Sequence, residues 1–272
     1  MRAELRALGS LARPVAAGLR RLRRTPGLTV IGWHRVDGTS NGLSTGVDDF
    51  RRHLDEIEAW GATVLPLDTA VAALDAGTLP ERAVALTFDD GYASVLETAW
   101  PLLQERRMPA TFYVVSGYLD SGERFPWDRD EAPHDRFRLV RADEVVAAAD
   151  EGLAIGSHTV SHPWLPRLDR AEVRRELHDS RVLLEELLAR PVTSLAYPTG
   201  GWSREVRAVA AEVGYRVAIT VDRGLNTVRT PRLSLRRAFV PHDPRDLRLV
   251  LDGALTALRP LDTWRARGGP AW

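Results

Sequence analysis

Ala83-Val84-Ala85-Leu86-Thr87-Phe88-Asp89-Asp90-Gly91-Tyr92 is the stretch on which the fold turns. Six apolar or β-branched residues without a charge predict a short buried strand. Two carboxylates then leave it together and meet a glycine that lets the backbone turn sharply. Adjacent carboxylates repel each other unless a cation or a proton separates their tasks. Asp-Asp-Gly is also a common turn, so the meaning of this strand end depends on its surroundings.

Working outward, similar runs recur along the chain. Strands are predicted at 28–33, 62–65, 83–88, 110–115, 153–157, 193–197, 216–221 and 235–240. Between them, stretches with apolar residues every three or four positions predict helices at 47–60, 67–76, 94–107, 141–151, 169–189, 203–213 and 245–258. Strand–helix alternation without a Pro/Gly-rich linker implies a parallel sheet in one α/β domain, a single distorted (β/α) barrel of seven or eight strands spanning residues 28–258. Residues 259–272 read as a C-terminal tail. The one long irregular segment, 117–138, carries Tyr118, Phe125 and Trp127 among many acids and reads either as a loop over a cleft or as a plain surface insertion.

Composition narrows the chemistry. The chain has 272 residues, 37 basic and 37 acidic, with no cysteine and no lysine. Thiolate, disulfide, Schiff-base and Walker-type chemistry are therefore excluded, and any metal must be held by His, Asp or Glu. The neutral total is unevenly spread: residues 1–27 hold Arg2, Arg6, Arg13, Arg20, Arg21, Arg23 and Arg24 against Glu4 alone, giving +6, and the rest carries −6. Gly9, Ser10, Arg13, Pro14 and Gly18 interrupt that arm, so it is not a secretory signal. A cytoplasmic protein is expected. The arm is either a solvated helix or tail, or a basic helix touching the inner membrane face through Leu5, Leu8, Leu11, Leu19 and Leu22. No nucleic-acid partner is expected, and oligomeric state is not legible.

In a parallel α/β domain the site gathers at the strand C-terminal ends. After the 153–157 strand comes His158-Thr159-Val160-Ser161-His162. Imidazoles four residues apart can reach one metal, although two unrelated polar histidines fit the spacing as well. Joined to the Asp89-Asp90 strand end, they make a set of two imidazoles and a carboxylate suited to a hydrolytic divalent cation.

Thr87-Phe88-Asp89-Asp90-Gly91, His158-Thr159-Val160-Ser161-His162 and Ala196-Tyr197-Pro198-Thr199-Gly200, in this order and separation, resemble the polysaccharide deacetylases, metal-dependent carbohydrate esterases with a distorted (β/α) barrel that remove acetyl groups from N-acetylated sugars. The resemblance spans roughly residues 29–258. It implies Asp90, His158 and His162 as ligands of one divalent ion, zinc first, with cobalt, nickel, manganese or iron as alternatives. It implies Asp89 as general base and a backbone N–H at Thr199 as oxyanion donor. Two departures stand out: Ala196 occupies the place of an arginine that usually orients the base, and the usual C-terminal Leu-x-His that supplies the acid is missing, His242 not matching it. A branch resembling the exopolysaccharide and biofilm-sugar deacetylases takes its acid from a histidine after the first strand, which is His34 here, and its arginine from a late strand, where Arg237 matches best and Arg236 competes. Tyr92, Trp127, Tyr197, Trp164 and Trp202 lie near the motifs as rings that sugar faces could stack on, the last two equally suited to packing. His53 and His178 fall on amphipathic helices and are expected in solvent. The expected activity is hydrolysis of an N-acetyl group from an amino sugar or oligosaccharide. The alternatives are a related barrel amidase and a non-catalytic carbohydrate-binding protein.

Overall fold

The computed structural model describes residues 27–38, 42–129, 137–241 and 243–253. Most of the basic arm, the tail at 259–272, His134 and His242 lie outside the described residues. Strands run in chain order as β1 (Thr29–Trp33), β2 (Arg35–Val36), β3 (Ser44–Thr45), β4 (Thr63–Val64), β5 (Ala83–Phe88), β6 (Ala110–Val114), β7 (Ala154–Ser157), β8 (Ser194–Ala196), β9 (Val217–Ile219) and β10 (Ala238–Phe239). The main sheet has the order β10-β1-β5-β6-β7-β8-β9, with β4 paired to the first residues of β5, and these strands all pair in parallel. The short β2–β3 ladder was not anticipated: two-residue strands carry no periodicity to read.

The barrel closes through one segment. Leu235 donates its N–H to Ala218 and accepts from Thr220 on the β9 side (2.8 and 2.9 Å). Three residues later, Ala238 and Phe239 pair with Ile31 and Gly32 of β1. Residues 235–239 thus touch both edges of the sheet.

Strand alternation sorts side chains between two layers. Val84, Leu86, Phe88, Phe112 and Val114 face the helices in the larger core. Val30, Ala85, Tyr113, Ala196, Val217, Ile219 and Leu235 fill the barrel interior. Space there is short: a β-carbon on Gly156 would sit 2.3 Å from the Tyr113 ring, so this position demands glycine.

The helices are α1 (Val47–Ala59), α2 (Leu67–Ala76), α3 (Trp100–Glu105), α4 (Ala142–Asp150), α5 (Arg170–Leu188), α6 (Arg204–Val213) and α7 (Leu247–Leu251). Phe50, Leu54 and Ile57 give α1 its buried stripe. His53 lies on that stripe, 1% exposed, rather than in solvent; its Nδ1 accepts the Trp33 indole N–H at 3.4 Å. His178 is exposed beside Asp179. Asp169 and Glu172 close a capping box at the start of α5, and Ser203 caps α6. The helix expected over 94–107 begins instead as a π-turn, Val95–Ala99, because Pro101 has no N–H to return to the carbonyl four residues earlier. None of the described helices is long and apolar enough to cross a membrane.

Candidate active site

Five chain segments converge at the C-terminal mouth of the barrel. On β5, Ala85 and Thr87 point inward, and Asp89 continues that alternation just past the strand end. On the closing segment Leu235, Arg237 and Phe239 share the inward face, while Ala238 packs outward. Arg237 is wholly buried and grips Asp89 with both guanidinium arms, Nη1 to Oδ1 at 2.6 Å and Nη2 to Oδ2 at 2.5 Å. It also donates to Thr87 Oγ1 at 3.2 Å and lies over the Phe239 ring. Arg236 turns the other way, donating to the Leu225 carbonyl. Between the two arginines the geometry selects Arg237.

Asp90 turns away from Asp89 through a left-handed conformation (φ 75°). Its Oδ1 lies 3.4 Å from His158 Nε2 and 3.5 Å from His162 Nε2. His158 follows β7 directly, and its Nδ1–H donates to the Ala196 carbonyl at 2.7 Å, which fixes the ring and turns Nε2 toward Asp90. Where an arginine usually stands, the Ala196 backbone therefore orients a histidine, and Arg237 holds Asp89 from another strand. Donor atoms of Asp90, His158 and His162 lie within 4.8 Å of one another and all three residues are buried. This set fits a divalent cation, because two imidazoles and one carboxylate converge on one point in the interior.

The turn carrying both histidines is held under strain. Thr159 and His162 have φ of 69° and 60°, a region that β-branched and bulky residues avoid. Thr159 Oγ1 accepts the His162 N–H at 3.0 Å. From α5, Glu176 accepts the Val160 and Ser161 N–H groups, each at 2.9 Å, and the Ser161 hydroxyl at 2.7 Å. Reading the sequence missed Glu176. The signal was its place two turns past a capped helix start, facing the motif.

Charges are set by this packing. Burial alone would raise the Asp89 carboxyl, but Arg237, then His158 and His34, hold it below its usual value. Asp90 is likewise lowered against its burial by the histidines. His158 is raised despite burial by Asp89 and Asp90, whereas burial and its neighbour His158 push His162 down to about 4. His34 is partly buried, stacked on Phe239 at 4.3 Å between ring centroids and nearly parallel; burial lowers its pKa against the pull of Asp90 and Asp89.

The aromatic residues divide. Trp127 is half-buried and lies 5.0 Å from the His162 ring. Tyr92 and Tyr197 are wholly buried and offer no face to a sugar, which corrects that expectation: their hydroxyls are committed to Asp128 (2.5 Å) and to the Leu233 carbonyl (2.9 Å). Trp164 packs over Gly201, and Trp202 lies against Arg207. Thr199 is partly exposed at φ 51°, its hydroxyl donating to the Pro198 carbonyl at 2.7 Å.

Comparison with known proteins gives the chain relatives and structural neighbours. The chain is 23% identical over 198 residues to the Bacillus subtilis protein YxkH, provisionally named a polysaccharide deacetylase, covering 72% of this chain and 65% of that one. It is 32% identical over 133 residues to a chitooligosaccharide deacetylase of Sinorhizobium fredii, covering 48% and 53%. The chain thus spans between about half and just under two thirds of those relatives. Among solved structures, the Streptococcus pyogenes deacetylase PplD in complex with acetate superposes with a TM-score of 0.73 at 23% identity, over 84% of this chain and 99% of that one, and shares its fold. Residues 76–218, more than half of the chain and all of the Asp90–His158–His162 cluster, match the family described as polysaccharide deacetylase, and to that family this chain belongs.

Proposed function

We propose that this protein is a metal-dependent N-deacetylase that hydrolyses the acetamide of an N-acetylated amino sugar or oligosaccharide. One observation carries the reading: a buried cation-ready cluster, Asp90, His158 and His162, stands next to an ionised carboxylate, Asp89, whose orientation is fixed by Arg237. A divalent ion in that cluster supplies Lewis acidity and makes water a better nucleophile at neutral pH. Zinc is the ion we assign, since two imidazoles and one carboxylate with open positions suit it; metal analysis of the purified protein would tell it from cobalt, nickel, manganese or iron.

The residues then divide the work. Asp89 accepts a proton from the attacking water. Arg237 occupies one lone pair on each Asp89 oxygen and leaves others available for that proton. The Thr199 backbone N–H is the donor for the oxygen on which negative charge develops. His34 delivers a proton to the departing sugar nitrogen.

The test is acetate release from N-acetylglucosamine oligomers. Activity is expected to vanish on chelation, return with zinc, and fall about a thousandfold or more in Asp89→Asn, in line with loss of a positioned base. Hydrolysis that survives chelation, or full activity in Asp89→Asn, would overturn the mechanism. Turnover like that of the wild type in His34→Ala would remove the acid assignment.

A further inference from the structure

The segment after β6, described over residues 115–129 and 137–140, is built into the mouth of the barrel. Its start is tied to the histidine turn, Ser116 and Gly117 donating N–H groups to the Thr159 and Val160 carbonyls (3.0 and 2.9 Å). Its end is pinned beside Asp90, where Ala93 donates to the Arg138 carbonyl and Val140 to that of Gly91, each at 2.9 Å. Between these ties Tyr92, Val115, Phe125 and Leu139 form a small core of their own.

A polar relay runs through that core. Arg35 is the residue after His34 and is wholly buried. Its guanidinium lies over the Tyr92 and Phe137 rings (4.9 and 4.3 Å) and pairs with Asp128 at 3.3 Å and Asp37 at 3.5 Å. Asp128 accepts the Tyr92 hydroxyl on its other oxygen, and the Tyr92 oxygen accepts the Trp127 indole N–H at 3.1 Å. Trp127 ends the relay, stacked on Phe125 at 4.5 Å and 10°. A buried ion pair of this kind is a poor route to stability, since apolar packing serves as well. What it does supply is a fixed orientation for one half-exposed ring beside His162.

We propose that Trp127 receives the apolar face of a sugar unit of the substrate, and that Tyr92, Asp128 and Arg35 are positioning residues that set the angle of its ring. This rests on the deacetylase reading above, because it assumes that the reacting acetamide lies at Asp90, His158 and His162. Flat apolar rings with an anchored N–H suit such stacking.

A double-mutant cycle tests it, with triacetylchitotriose as probe, read both as the calorimetric dissociation constant and as KM and kcat for acetate release. Trp127→Ala is expected to weaken binding and raise KM about tenfold with kcat little changed, and Trp127→Phe to recover part of the loss. Tyr92→Phe keeps the buried ring and removes only the hydroxyl, and a loss of several-fold is expected. In the Trp127→Ala background the same substitution is expected to add nothing. Equal effects of Tyr92→Phe in both backgrounds, or unchanged binding in Trp127→Ala, would overturn the proposal. Asp128→Asn carries the same test should Tyr92→Phe not fold. If the wild type binds the trimer through Trp127 without releasing acetate, the deacetylase reading fails and the sugar wall stands. Acetate release with binding indifferent to Trp127 sinks the wall alone, and absence of both sinks the two together.

Discussion

Arg237 is held by chemistry that few substitutions can imitate. It is fully buried, faces an ionised carboxylate through two parallel hydrogen bonds, and leans on Phe239. Removing it as Arg237→Met leaves Asp89 charged and unpaired in the interior, at a cost of about 3–5 kcal/mol in a denaturation midpoint series. Arg237→Lys keeps the charge but cannot reproduce the fork. We expect it to fold better than Arg237→Met yet to lose most of kcat, because the base is no longer aimed; equal activity in the two variants would contradict a role in orientation. Sequence alone left Arg236 in contention, although alternation already separated them. Leu235, Arg237 and Phe239 share one face of a strand, and only one face reaches the interior. Tyr92 and Tyr197 were misread for the opposite reason: position beside a motif says nothing about exposure when a strand end is covered by a later loop.

At the scale of elements, each predicted strand and helix has a counterpart among the described residues, most one or two residues shorter than the apolar run because termini fray where side chains still alternate; the strand expected over 235–240 is only Ala238–Phe239, and the helix expected over 245–258 runs Leu247–Leu251, with 254–258 outside the described residues. What could not be read were features made by tertiary contact: the β2–β3 ladder, the π-turn before α3, and the small core of Tyr92, Val115, Phe125 and Leu139. The link between α5 and the histidine turn belongs to this class. Glu176 satisfies two backbone N–H groups and a hydroxyl in a turn with two left-handed non-glycine residues. Glu176→Ala is expected to let the turn relax and to lower zinc affinity about 10–100-fold in a chelator competition, as loss of an outer hydrogen-bond partner does. Glu176→Gln, which keeps one acceptor oxygen, should lie between. Unaltered affinity in Glu176→Ala would show that Thr159 and the barrel suffice.

For the whole molecule, pH acts on stability as well as on the site. His53 is buried between α1 and β1, and burial, against Asp49 and the Pro241 backbone, pushes its pKa down to about 4 from 6.5. The unfolded chain therefore binds a proton that the folded chain refuses between these values. Its contribution is complete above pH 6.5 and is lost as pH falls through the window to about 4, up to about 3 kcal/mol. Protonation of Nδ1 would also break the Trp33 bond. Urea midpoints across this range should fall less steeply for His53→Gln, which keeps an acceptor and does not titrate; parallel curves would place the acid sensitivity elsewhere. A last consequence follows from closure of the barrel by residues 235–239. Asp90, His158 and His162, the three residues placed to hold a cation, are all in the chain by residue 162, whereas Arg237, which grips Asp89, comes only with the segment that joins the two sheet edges. A chain cut before residue 235 would therefore lose the grip on Asp89 and the seam of the sheet together, because one five-residue segment supplies both.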